Sequence, residues 1–143
     1  MNHIELAHKT FQLAEVDREV ALEQIEKASE IYYRVAFFHL QQATEKYLKA
    51  YLYFTQRPVP QTHKLDFLNR LCREVNPDIP EFETKVFIDF GVHVRYADVK
   101  YVGPMQADVK YAFTCCLEVR QALLPHFPPG VVNPYLILPN AAD

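Results

Sequence analysis

Apolar side chains return along the first part of the chain at helical intervals. Leu6, Leu13 and Val20 stand seven residues apart, Ala21 lies beside them, and Phe11, Ala14, Leu22 and Ile25 fill the gaps. Seven residues are close to two helical turns, so the pattern predicts a helix over about 3–27 with this seam turned inward. Ser29 is a suitable cap for a second helix, over about 30–56. Projected at 100° per residue, Ala36, Leu40, Ala43, Tyr47, Ala50 and Phe54 fall within about 40° of one direction. Phe37, Thr44, Leu48, Tyr51 and Leu52 widen that apolar arc, which implies burial against more than one neighbour. The remainder is a narrow polar stripe of His39, Gln42, Glu45, Lys46 and Lys49. The stripe is either a solvated outer face with Glu45 and Lys49 as an i,i+4 pair or, on a helix buried over two faces, lodged in a cleft with His63, Asp66, Arg95 and Asp98 as its expected partners.

Further along, prolines divide the chain. Arg57-Pro58-Val59-Pro60-Gln61 is a loop. Thr62 is the expected cap of a third helix over about 63–75, carrying Leu65, Leu68, Leu71 and Cys72 inward. A second proline pair, in 76–80, breaks it. Phe82, Val86 and Phe90, with Phe87 beside them, predict a fourth helix over about 81–92. Residues 93–104 read as an irregular connection. Pro104 suits the first turn of a fifth helix over about 104–124, with Met105, Val109, Ala112, Cys116 and Val119 facing inward. The expected fold is all-α, a single up-and-down bundle of four to five helices over residues 1–125. Residues 126–143 read as a proline-rich tail, in which Tyr135-Leu136-Ile137-Leu138 could pack in a groove on this chain or on a partner.

Composition narrows the functional field. The chain has 143 residues, half of them apolar, but three glycines, which disfavours a β-sandwich or barrel. No glycine-rich phosphate loop can be read, so no dinucleotide or P-loop cofactor is expected. A net charge of −3 argues against a broad basic face for duplex nucleic acid and leaves room for a local basic pocket. Three cysteines, two of them adjacent (Cys115 and Cys116), make no disulfide framework and lack ligand spacing, so no metal is expected. A polar N-terminus and the lack of a long apolar run point to a cytoplasmic protein with no membrane contact.

For chemistry, the basic and histidine side chains are the candidates. RNA cleavage without metal needs a base for a ribose 2′-OH and a cation for the phosphorane. His39 or His63 could be the base and Arg34 or Arg95 the cation. Arg34 and His39 form an Arg-x4-His string, yet five helical residues turn the two side chains about 140° apart. Nucleotide binding asks less: Lys46, Lys49, His63, Lys64 and Arg95 could hold phosphates, and Tyr96 or Tyr101 could stack a base.

The segments 38-FHLQQATEKYLKAYL-52, 59-VPQTHKL-65, 95-RYAD-98 and 117-LEVRQALL-124, in that order, resemble the HEPN domain family (higher eukaryotes and prokaryotes nucleotide-binding) over most of residues 5–125. Its members commonly show F-H-x-Q-Q-A-x-E-K-x-L-K-A, P-x-T-H-D-L and R-Y-P-D. The resemblance implies a helical bundle, often a homodimer. It also implies work beside a minimal nucleotidyltransferase, service as a nucleotide- or RNA-associated module, or action as an RNA-cutting toxin. The catalytic branch carries R-x4–6-H in a late helix, with a polar residue after the Arg. Here no His follows Arg95 within seven residues, Val35 follows Arg34, Lys64 replaces Asp, and Ala97 replaces Pro. These departures favour a non-catalytic module that binds a nucleotide, RNA or a nucleotidyltransferase. A metal-independent endoribonuclease of a toxin–antitoxin pair and a purely structural dimerisation domain are the alternatives.

Overall fold

The chain's computed structural model describes residues 1–95 and 103–127, with the backbone alone for 91–95. Five α-helices form: α1 (His3–Ile25), α2 (Glu30–Phe54), α3 (Leu65–Val75), α4 (Lys85–Arg95) and α5 (Gln106–Leu123). No strand occurs among the described residues. α2 is the central element and touches the other four, with α1 as its main neighbour. Asp17 meets His39 and Lys46, while Lys27 lies over the Tyr32 ring, so α1 and α2 run antiparallel. The all-α bundle expected from periodicity is what the chain forms.

The predicted centre of α2 holds. Ala36, Leu40, Ala43, Tyr47 and Ala50 are fully buried on one side, and Phe37, Leu48 and Leu52 are fully buried on the next. Phe37 packs against Phe87 and Phe90 of α4, with ring centroids 5.7 Å away in each case. Phe11 of α1 meets Tyr47 edge-on at 5.0 Å and Phe127 at 5.5 Å. Edge-to-face contacts of this kind add about 1 kcal/mol each beyond area burial.

In α1 the expected seam is rotated. Leu13 is exposed, and Leu6 and Val20 are only half-buried. The buried line is Ala7, Phe11, Ala14, Arg18, Ala21 and Ile25, with Glu15 at its edge. Spacings of four and three, repeated, make this a regular inward stripe. Its alanines let α1 lie close on α2, a choice that side-chain size alone does not reveal.

Helix starts also shift. α3 begins at Leu65 after Lys64, and Thr62 accepts the Lys64 N–H in a local turn instead of capping the helix. α4 begins at Lys85, so Phe82 packs from the preceding loop, its N–H donating to Asn69 Oδ1 at 2.9 Å. Asn69 Nδ2 donates to Pro80 O at 3.0 Å, so one buried amide orders the α3–α4 connection. α5 begins at Gln106. Pro104 lies outside it, and Met105 is an exposed cap residue, not an inward one. A 3₁₀ turn follows at Leu124–His126, and Phe127 is buried against Phe11, Tyr51 and Phe54, so the body continues past residue 125. The Tyr135–Leu138 segment lies outside the described residues.

The α1–α2 junction has no glycine or proline, because Ala28 itself adopts a left-handed φ of 50°. Gln56 does the same after α2, at φ 60°. Both are exposed, and an L side chain there costs about 1 kcal/mol. Ala28→Gly and Gln56→Gly are each expected to stabilise the fold by up to about 1 kcal/mol, read from urea unfolding midpoints.

Candidate functional site

Along α2 the polar stripe resolves into two carboxylates, each held by one lysine and one histidine. On the α1 side, Asp17 Oδ1 meets His39 Nδ1 at 2.9 Å, and Asp17 Oδ2 accepts from Lys46 Nζ. On the α3 side, Glu45 Oε2 accepts from Lys49 Nζ at 3.2 Å, and Glu45 Oε1 meets His63 Nδ1 at 2.7 Å. The i,i+4 spacing of Glu45 and Lys49 supplies one contact within the helix. The turn before α3 brings in His63. Its expected partnership with the stripe therefore forms. Asp17, absent from the expected partners, lies on the helix whose inward face had been misassigned.

Burial differs sharply within the second cluster. The Glu45 side chain is 6 % exposed, whereas the His63 side chain is 60 % exposed. An ionised carboxylate can only accept, so the His63 Nδ1–H donates. That leaves Nε2 with no hydrogen bond among the described residues, as a lone pair in the neutral ring and as a donor in the protonated one. Lys64, next in sequence, is exposed and makes no side-chain cap to α3. The first-turn N–H groups of α3 thus open beside His63 and Lys64. Asp66, in that first turn, is exposed and makes no ion pair with the stripe among the described residues.

Arg34 and His39 lie on one unbroken helix, and His39 is committed to Asp17. The regular winding keeps the two about 140° apart, so they do not form a joint site within one chain. Lys46 pairs with Asp17 and Lys49 with Glu45. The Arg95 side chain, Tyr96, Asp98 and Tyr101 lie outside the described residues.

Sequence reasoning missed a third cluster, below the stripe. Glu15, 1 % exposed, accepts from Tyr47 OH at 2.5 Å and from Arg120 Nε at 2.6 Å, with Arg18 Nη2 at 3.5 Å. It ties α1, α2 and α5 together. Burial opposes charge on Arg18, but Tyr47 and Glu15 more than offset it, so its pKa is raised and the guanidinium stays charged. Burial, Cys116 and Glu15 push the Tyr47 phenol far up. The missed signal was the 15, 18 spacing of opposite charges on the alanine-rich face.

Burial raises the Cys72 and Cys116 thiols from the ordinary 9.0 to about 12. Both are neutral when folded and are expected to be inert to Ellman's reagent at pH 8 until the chain unfolds. A folded pKa raised above the unfolded one gives stability that is complete below pH 9 and is lost as pH climbs toward 12. Melting temperature is therefore expected to be level to about pH 8 and to fall above about pH 9, where the unfolded chain's thiols ionise and the buried ones do not.

A surface cavity of about 410 Å³ lies between the start of α3 and the start of α4. Asp66, Glu81 and Glu83 line it with Lys85, Phe82 and Ile88, so it is acidic on balance. No group of three metal-ligating side chains occurs among the described residues, and none of the described helices is long and apolar enough to cross a membrane.

Comparison with known families aligns with this geometry. The family model described as HEPN domain matches residues 7–125, which span α1 to the end of α5 and so include all three clusters. Neither the comparison with curated proteins nor that with solved structures gives a match.

Proposed function

The chain belongs to the HEPN domain family, and from that premise we propose that it is a binding module without catalysis of its own, taking a phosphate group of a nucleotide or RNA at the α2–α3 edge. One observation carries the proposal. His63 rests its Nδ1 on buried Glu45 and turns its other ring edge outward, beside exposed Lys64 and the uncapped start of α3. An imidazole edge, an ammonium and helix N–H groups lie there for one anion. In this reading a partner minimal nucleotidyltransferase supplies any chemistry.

Fluorescence polarisation with a panel of nucleotides and short single-stranded RNAs tests it. His63→Ala and Lys64→Ala are each expected to weaken binding by about tenfold, the worth of one charge-assisted hydrogen bond. Both side chains are exposed, so melting temperature should hold. No binding by the wild type, or binding indifferent to both substitutions, overturns the proposal.

A second reading is favoured by the same dyad. A histidine oriented through Nδ1 by a buried carboxylate, with Nε2 open, has the form of a general base. As an endoribonuclease the chain would cleave RNA without metal and lose that activity in His63→Ala. Intact RNA after incubation with the purified protein, and normal growth of a host expressing it, sink this reading.

A further inference from the structure

The starts of α3 and α4 border a cavity of about 410 Å³, within the size range of sites for small organic molecules. Its walls mix two kinds of side chain. Asp66, Glu81 and Glu83 supply carboxylates, and Phe82 and Ile88 supply apolar surface. Lys85 is the opposing charge in the lining. Neither Asp66 nor Lys85 has an ion-pair partner among the described residues. Glu81 has a loose one, Arg73 Nη1 at 3.9 Å, and its own side chain is 82 % exposed. Glu83 Oε1 accepts the Lys85 N–H at 3.0 Å, which leaves Oε2 open.

Acidic side chains at helix starts often do no more than steady the helix. Thr84 sets this cavity apart from that case. It is 9 % exposed and lines the cavity. It stands directly before α4, where a threonine hydroxyl ordinarily caps the helix. Here the Thr84 carbonyl does that work, accepting from the N–H groups of Phe87 and Ile88 at 3.1 and 3.3 Å. The Thr84 hydroxyl makes no hydrogen bond among the described residues. A nearly buried hydroxyl left unbonded costs stability until something bonds it. The cavity has room for the missing partner.

We propose that this cavity binds a linear organic polyamine. Its excess of carboxylates selects a cation. Asp66, Glu81 and Glu83 do not gather closely enough to share one metal ion. A cation whose charges are spread along a chain suits them, because each ammonium meets its own carboxylate. The methylenes between the ammoniums lie on Phe82 and Ile88, and the Phe82 ring attracts the charge as well. The Thr84 hydroxyl oxygen accepts one ammonium N–H and so gains its partner. Lys85 opposes the ligand and limits its affinity, although an ammonium on a flexible stem can swing clear.

Calorimetric titration of the full chain with spermidine at low ionic strength tests this. Binding should saturate. Propylamine, with a single charge, should bind about tenfold more weakly, and an equal concentration of Mg²⁺ should not displace spermidine. Asp66→Asn and Glu81→Gln should each weaken binding about threefold. Thr84→Val should weaken it about fivefold, and since no hydrogen bond within the chain is lost, melting temperature without ligand should hold. Lys85→Ala should tighten binding about threefold, a gain that impaired folding does not imitate. Glu23→Gln, at an exposed carboxylate of α1, is the control and should leave affinity unchanged. The proposal is overturned by a wild type without saturable binding or by displacement with Mg²⁺. It is equally overturned if Glu23→Gln loses as much as Glu81→Gln, or if Thr84→Val and Lys85→Ala both keep wild-type affinity. Spermidine is the probe throughout, so failure here leaves the phosphate test standing.

Discussion

Replacing Glu15 with alanine is expected to cost about 3–5 kcal/mol of stability, a large share of the 5–15 kcal/mol that holds a domain of this size. The carboxylate is 1 % exposed and lies between two guanidiniums, those of Arg18 and Arg120, and a phenol, that of Tyr47. Its removal takes the carboxylate from buried Arg18 and from the largely buried Arg120, and Arg18 cannot reach water without opening the α1–α2–α5 contact. Tyr47→Phe takes away one neutral donor and leaves both ion pairs, so its cost should be nearer 1 kcal/mol. Pairing Glu15→Ala with Arg18→Met removes the carboxylate and the more deeply buried of its two guanidiniums and leaves Arg120. That double variant should be more stable than Glu15→Ala alone, because one stranded guanidinium remains in place of two. Urea unfolding of the three variants checks the order. A Glu15→Ala protein within about 1 kcal/mol of the wild type would show that the cluster is hydrated and contributes little.

The two long helices differ in how far sequence periodicity reaches. In α2 the buried alanines Ala36, Ala43 and Ala50 share their face with Leu40 and Tyr47, and Phe37, Leu48 and Leu52 fill the next, so the angular cluster of large residues coincides with the core. In α1 the inward stripe is alanine, phenylalanine and a buried charge pair, while leucine and valine face outward. Hydrophobicity weights Leu13 above Ala14, but packing against α2 selects Ala14 because a small residue lets two backbones approach. Helix starts at Thr62 and Pro104 failed for a local reason: each residue has good capping or first-turn chemistry, and chain geometry set the helix one to three residues later. At the site, Glu45 with Lys49 was readable from spacing within one helix. His63 was readable as a partner because it lies in the loop just before the next helix. Asp17 was not, since its partnership depends on the rotation of α1. Glu15, Arg18 and Arg120 were hidden for a further reason, as charged side chains are assigned to the surface unless three helices are known to converge on them.

Glu45→Ala should produce the second large effect and should show it in two readouts at once. Glu45 sits where core and site join: its side chain is nearly buried, yet it holds the exposed imidazole of His63. Its loss leaves Lys49 and His63 without their anchor. Both can turn to water, unlike Arg18 beside Glu15, so the stability cost should be about 2 kcal/mol and not 3–5. Ligand affinity should fall toward that of His63→Ala, by up to about tenfold, because His63 loses its fixed position before α3. Glu45→Gln separates the two effects. The amide oxygen still accepts from His63 Nδ1–H, which preserves ring orientation, but the charge that steadies Lys49 is gone. Affinity should then recover most of the way while stability recovers only in part. Calorimetric titration alongside urea unfolding distinguishes the cases. If Glu45→Ala lowers stability and leaves binding untouched, the Glu45–His63 pair is a structural tie, and the phosphate site lies elsewhere on the chain.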